Sequence, residues 1–409
     1  MHDNTWARAL KAYGAQVTLI PTYTPIRLDE EDQSTHRVFL GGVNVFMEFK
    51  WPWLWRKLPR AFTRPLDARW LLNLTRFVSS DARQLGPLTL AMLEGEAGPE
   101  RREIDELVEF LCRQLKPDVI CFSNVLLVGT VRRLREKFDG QIYCVLQGDD
   151  IFLNDLPERY RRRAVETIGR RAVDFDGFLV HSHYYRDFMS DYLQLPIEKF
   201  HQLPLGIDLQ GHDGQPDAEK NALFTVGYFA RICEEKGLLQ LVEAFHILHA
   251  KHPNTRLLTG GYLGKRDARY FRRVLESART LGPDFEHVGI PQKHAEKVAL
   301  LKQFDVLSVP TVYREPKGLY VLEALANGVP VVQPRHGAFS ELIEATGGGL
   351  LVNPGDANDL ARALEELMLN PRRRMELAAA GQANVRAWFD ERTLAETTIR
   401  IFERNRRCT

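Results

Sequence analysis

Apolar positions along this chain follow two periods. Apolar residues three or four apart predict helices over 4–13, 104–115, 129–138, 159–173 and 184–192. Short β-branched or aromatic runs between them predict strands over 16–21, 117–122, 141–146, 178–181 and 200–204. Residues 208–221 (DLQGHDGQPDAEKN) are polar, hold Gly and Pro, and lose all periodicity, which reads as a linker. The pattern then restarts, with strands over 223–229, 255–261, 285–289 and 306–310 and helices over 238–252, 266–282 and 295–303. From Tyr313 to Gly337 the chain predicts a loop, a helix over 319–327, a Gly328 stop and a strand over 329–332. A helix over 338–344, a strand over 350–352 and two long helices complete it. Strands alternating with helices in both halves predict two doubly wound, Rossmann-like α/β domains, 1–208 and 222–387, joined by the linker 209–221. The chain opens on a helix where such folds open on a strand, so either the layout is unusual or a first strand lies upstream of Met1.

Composition narrows the class. At 409 residues the chain exceeds a usual single core, consistent with two domains of roughly 200 residues. Lys plus Arg (55) nearly cancel Asp plus Glu (54), which argues against a dedicated nucleic-acid binder. Five cysteines, odd in number and with no C-x-x-C pair, fit reduced thiols in a cytoplasmic protein and no zinc site. No apolar run is long enough to span a bilayer, and the N-terminus lacks a signal-peptide core. Residues 50–77 carry four of the six tryptophans among Lys and Arg. That composition suits peripheral contact with the inner face of a membrane, or else an insertion packing its aromatics on the domain.

The candidate chemistry gathers in the second half. Glu315 lies in the loop before the 319–327 helix, and Glu323 lies inside that helix. Gly318 permits close backbone approach, and the amides of Leu319, Tyr320 and Val321 face forward as an anion site. Gly227 is read as the end of the first strand of this half, with Arg231 and Lys236-Gly237 in the loop that follows. Arg and Lys supply charge-assisted bonds to a diphosphate, each worth about 1.5–3 kcal/mol. In the first half, Gln147-Gly148-Asp149-Asp150 ends a predicted strand, where open parallel sheets place ligand groups. Asp149 and Asp150 are candidate bases or N-caps of the next segment. Gly41-Gly42 admits a ligand or forms a bulge. The Arg-rich segment 159–173 is either a solvated face or a phosphate contact.

The glutamate pair in EPKGLYVLEA, Arg231 with Lys236-Gly237, PLGID (204–208), GVPVV (328–332), Gly337 with Glu341, and GGGLLVNPGD (347–356) occur in order. This set resembles the retaining glycosyltransferases of the GT-B fold, family-four group (glycosyl transferases group 1). The resemblance covers the chain from about residue 118 onward. It implies two Rossmann-like domains facing across a cleft, with a C-terminal helix at about 388–409 returning to the first. It also implies a metal-independent hexosyltransferase without a cofactor, whose partners are a nucleotide-sugar donor and an acceptor. On this reading Arg231 and Lys236 hold the diphosphate, Gly318 and Leu319 offer amides to it, Glu323 binds the ribose and Glu315 touches the donor sugar. Lys317, where relatives often have an aromatic, adds a positive charge near the phosphates. Gln147 stands where many relatives have a histidine, and with Gly41 and Gly42 it is assigned to the acceptor side. Glu315→Ala is expected to abolish transfer with folding intact. The alternative is a catalytically silent GT-B protein that binds a nucleotide sugar or a protein partner.

Overall fold

The computed structural model describes residues 2–22, 39–40, 53, 82–217 and 223–404. Gly41, Gly42 and, apart from Trp53, the tryptophan-rich segment 50–77 lie outside the described residues. The chain forms two compact α/β units, one holding Asp3–Leu203 with the residues from Ala395 onward, the other Pro204–Leu394.

In the first unit a four-stranded sheet runs β1 (Val119–Phe122), β2 (Gln141–Val145), β3 (Gly177–Val180) and β4 (Phe200–Gln202), every neighbouring pair parallel. β2 and β3 are buried at every residue, as expected of parallel strands covered on both faces. Rings from Phe122, Phe175, Phe178 and Phe200 step across this core with centroids 5.1–5.9 Å apart. Among the described residues no ladder forms over 16–21, where Leu19 is an isolated bridge residue. Thr22, just beyond the segment, bridges Phe39, and a strand exists only by virtue of a partner ladder. The helix predicted over 104–115 is α-helical from Arg101 to Glu109 and then widens to a π-turn through Leu115. Within the basic helix Glu158–Arg171, Arg171 is buried and donates to Glu96 (2.9 Å) and to the Glu94 carbonyl (2.7 Å), so that end of the Arg-rich stretch is structural. The final helix, Glu391–Arg404, enters this unit from Ala395. Trp6 Nε1 donates to Thr398 (2.9 Å), and Phe402 packs 5.0 Å from the Tyr143 ring.

The second unit holds a six-stranded, all-parallel sheet. Its strands are β5 (Phe224–Phe229), β6 (Thr255–Gly260), β7 (Phe285–His287), β8 (Val306–Leu307), β9 (Val331–Pro334) and β10 (Gly349–Val352), in the order β10-β9-β8-β5-β6-β7. Winding proceeds outward from β5 through β7, then returns to β8 on the other side. The loops after β5 and β8 therefore diverge from adjacent strands, which is the topological switch point where open sheets take ligands. The Leu319–Ala326 helix is buried from Tyr320 to Ala326, so its mostly apolar sequence reflects enclosure by the core rather than one packed stripe. Residues 209–217, read as a linker, are fastened to this unit. His212 pairs with Asn327 (2.7 Å), and Gln382 donates to the Gly214 carbonyl (2.6 Å).

Candidate active site

The loop after β5 carries Arg231 and Lys236; the loop after β8 carries Tyr313 and Glu315. Their approach rests on Gly237, which has φ +71° and whose Cβ, were it present, would fall 1.9 Å from the Pro310 carbonyl oxygen. Glu315 is 4% exposed. Its Oε2 accepts from Lys236 Nζ (2.5 Å), Tyr320 Oη (2.8 Å) and Tyr313 Oη (3.0 Å), while Oε1 meets the Lys317 amide at 3.5 Å. Burial opposes ionisation of this carboxyl, but the Lys236 ammonium and the tyrosine hydroxyls outweigh it and hold the pKa below the ordinary glutamate value. Lys236 also donates to Tyr313 Oη (2.8 Å) and lies 5.0 and 5.2 Å from the Tyr313 and Tyr320 ring centroids. An ammonium has three N–H groups; two are used in this cage and one is left for a ligand.

Arg231 is partly exposed at the rim of the same loop, with Nε 3.2 Å from Cys233 Sγ and its far nitrogen 3.7 Å from Glu235. Gly318, at φ +87°, starts the Leu319–Ala326 helix. The Val321 amide bonds back to the Gly318 carbonyl (2.9 Å), so of the three amides expected to face a ligand only those of Leu319 and Tyr320 keep that assignment. Lys317 is half-buried beside this helix start.

One expectation is corrected, and one residue has a partner the sequence did not indicate. β5 continues two residues past Gly227, and a Cβ there would fall 2.1 Å from Phe304, so this glycine admits a core ring rather than ending the strand at a ligand. Glu323, expected to wait for a ribose, is 7% exposed and bonded through Oε1 to Lys297 Nζ (3.0 Å), itself 2% exposed. Lys297 was not singled out from the sequence. The available signal was a lysine four residues before Leu301 in a short, mostly apolar helix, His294–Leu301. The side chains of Tyr313 and Tyr320 were missed as well, since nothing in their spacing marks them apart from core aromatics.

In the first unit, Gln147 and Asp149 bind the chain to itself. Asp149 is buried, and its two oxygens accept from the Val125 (2.8 Å) and Gln147 (3.0 Å) amides. It therefore ties the end of β2 to the loop after β1 rather than capping its own helix, Asp149–Asp155. The Gln147 side chain donates to Asp3 (3.0 Å) and to the Ser123 carbonyl (3.1 Å). Asp150 accepts from Tyr185 (2.6 Å), whose oxygen in turn accepts from the Gly148 amide (2.8 Å). Burial raises the pKa of Asp150 and pushes that of Asp149 up to about 6 from 3.8. A carboxyl with a raised folded pKa keeps its proton in the folded state while the unfolded chain loses it. Stability therefore falls as pH rises from about 4 to about 6, by about 3 kcal/mol for this shift. Asp149→Asn should flatten that slope in urea unfolding between pH 4.5 and 6.5. It should also leave one of the two amides facing an NH₂ group, at a cost of about 1–3 kcal/mol. An unchanged slope would detach Asp149 from the pH dependence.

The two parallel-sheet α/β units are those of the GT-B glycosyltransferases. The structure resembles that of sucrose-phosphate synthase from Thermosynechococcus elongatus, with a TM-score of 0.71, 19% identity, and 98% of this chain and 91% of that one covered. It likewise resembles Anabaena Alr3699/HepE in complex with UDP, with a TM-score of 0.65, 17% identity, and 95% and 100% covered. Residues 214–384, within the second unit, match the family described as glycosyl transferases group 1. Relatives in sequence include a glycogen synthase of Mycobacterium tuberculosis, 31% identical over 180 residues, and a D-inositol 3-phosphate glycosyltransferase of Corynebacterium jeikeium, 30% identical over 189 residues. These alignments cover 43% and 44% of this chain and 41% and 43% of the relatives, so the chain spans less than half the length of the curated relatives it matches.

Proposed function

We propose that this chain is a retaining, metal-independent glycosyltransferase that moves a hexose from a nucleoside-diphosphate donor to an acceptor hydroxyl. The observation that carries the reading is the meeting of Lys236, Glu315 and the Gly318 helix start at the switch point of the second unit, inside the region matching the group 1 family. Arg231, the remaining N–H of Lys236 and the Leu319 amide would take the diphosphate, stabilising charge that grows as the bond from the anomeric carbon to phosphate oxygen breaks. The acceptor oxygen bonds to the same face of that carbon, and its proton passes to the departing phosphate oxygen. Such a front-face route needs no separate base, in keeping with the occupied oxygens of Asp149. Glu315 would lie against the sugar, where a negative charge stabilises a developing oxocarbenium ion. The Alr3699/HepE complexes with UDP and with UDP-glucose are one reason to try a uridine nucleotide first.

A second reading, a silent nucleotide-sugar binder, is favoured by the self-contained bonding of Gln147 and Asp149. No helix among the described residues is long and apolar enough to cross a membrane, and contact of residues 50–77 with a membrane surface stays part of the proposal. Titration calorimetry with UDP and GDP, followed by product detection from a panel of nucleotide sugars, tests both readings. Binding with turnover supports transfer, binding without turnover supports the silent reading, and no binding removes both.

A further inference from the structure

One oxygen of Glu315 holds three donors and the other almost none. Lys236, Tyr320 and Tyr313 converge on Oε2 at 2.5, 2.8 and 3.0 Å, whereas Oε1 has the Lys317 amide at 3.5 Å, beyond ordinary hydrogen-bond length. A carboxylate loaded on one oxygen cannot rotate without breaking those bonds. The donors come from separate elements: Lys236 from the loop after β5, Tyr313 from the loop after β8, and Tyr320 from the Leu319–Ala326 helix. His336, a titratable group close enough to feel the Glu315 charge, comes from the loop after β9. Its Nε2 is 3.0 Å from the Thr311 carbonyl, and burial lowers its pKa. We propose that Tyr313 and Tyr320 are positioning residues for sugar transfer, acting through Glu315 to fix its rotation and leave Oε1 for the donor sugar. The inference rests on the reading of this site as a sugar-nucleotide pocket and adds to it two tyrosine hydroxyls that bond to Glu315.

Both hydroxyls stay protonated in this role. Burial first, and the Glu315 charge second, raise the Tyr313 and Tyr320 pKa values above the ordinary tyrosine value. Tyr313 donates to Glu315 while accepting from Lys236, so it also links the ammonium to the carboxylate. A tyrosine that only filled space could be replaced by phenylalanine without consequence for the carboxyl.

The experiment uses the full chain, with glutamate side-chain carboxyls labelled by ¹³C and the Glu315 resonance assigned by its loss in Glu315→Gln. Tyr320→Phe should move the Glu315 titration up by about one pH unit, since a donor to the charged form is lost. With the nucleotide sugar found active in the donor panel, it should lower kcat about tenfold while KM for the donor changes less than twofold. Tyr313→Phe should act in the same direction and serves as the second variant should Tyr320→Phe fail to fold. A Glu315 titration unmoved in these variants overturns the inference, as does an unchanged kcat or a rate loss matched by a fall in folded fraction. If UDP and GDP fail to bind the unaltered chain, the sugar-nucleotide reading is what falls, and the carboxyl titration still reports on the cage separately.

Discussion

Replacing Glu315 by glutamine should lower the rate of sugar transfer by about 10²–10³-fold, a loss typical of removing one preorganised electrostatic contact at a reacting centre. Glutamine keeps the shape and one acceptor oxygen but removes the charge that the proposed function sets against the sugar. Steady-state rates with the active nucleotide sugar, at equal folded protein, check this; a rate within a few-fold of the unaltered chain would sink the assignment of Glu315. Alanine is the wrong probe, contrary to the expectation that it would spare the fold. Glu315→Ala strands the Lys236 ammonium and the Tyr313 and Tyr320 hydroxyls in a site 4% exposed at the glutamate. Breaking a buried pair from one side costs about 3–5 kcal/mol, so lost activity in that variant would mix chemistry with unfolding.

The largest effect on stability should come from Lys297→Met. The lysine is 2% exposed and lies 3.0 Å from a glutamate that is 7% exposed. Methionine keeps most of the volume but leaves Glu323 as an uncompensated buried charge, which should destabilise the second unit by about 3–5 kcal/mol. Adding Glu323→Leu should restore much of the loss, because replacing both partners by apolar groups of similar volume is often close to neutral. Urea unfolding of the two single variants and the double variant forms the cycle. A Lys297→Met loss below about 1 kcal/mol would show that the pair is not the buried contact described. Nucleotide affinity measured alongside separates the roles of Glu323. If its carboxylate also reaches a ribose, the double variant recovers stability without recovering binding.

Much of the second unit was legible in the chain itself. Strand and helix periods from Leu223 onward named each strand of the six-stranded sheet to within a few residues, because parallel strands buried on both faces must be apolar throughout and their helices must stripe. Glu315, Arg231 and Lys236-Gly237 were placed in the right loops, and Glu323 in the right helix, for the same reason. A loop between two strongly patterned elements has nowhere else to go. The first unit was less readable. The 16–21 segment has strand composition, yet among the described residues it holds only an isolated bridge residue at Leu19, and whether a ladder forms depends on a partner strand rather than on the segment itself.

Sequence alone therefore determined the α/β class, the order of elements in the second unit and the loops that hold Arg231, Lys236 and Glu315, since each follows from local periodicity and from residues adjacent in the chain. Tertiary structure alone decided how those residues are used. Lys236 turns to Glu315 across 79 positions, Lys297 reaches Glu323 across 26, and Asp149 spends both oxygens on amides two residues before and 24 residues away. Spacing along a chain carries no information about which buried charges meet, because burial makes an unpaired charge intolerable but leaves the choice of partner to the packing of whole elements.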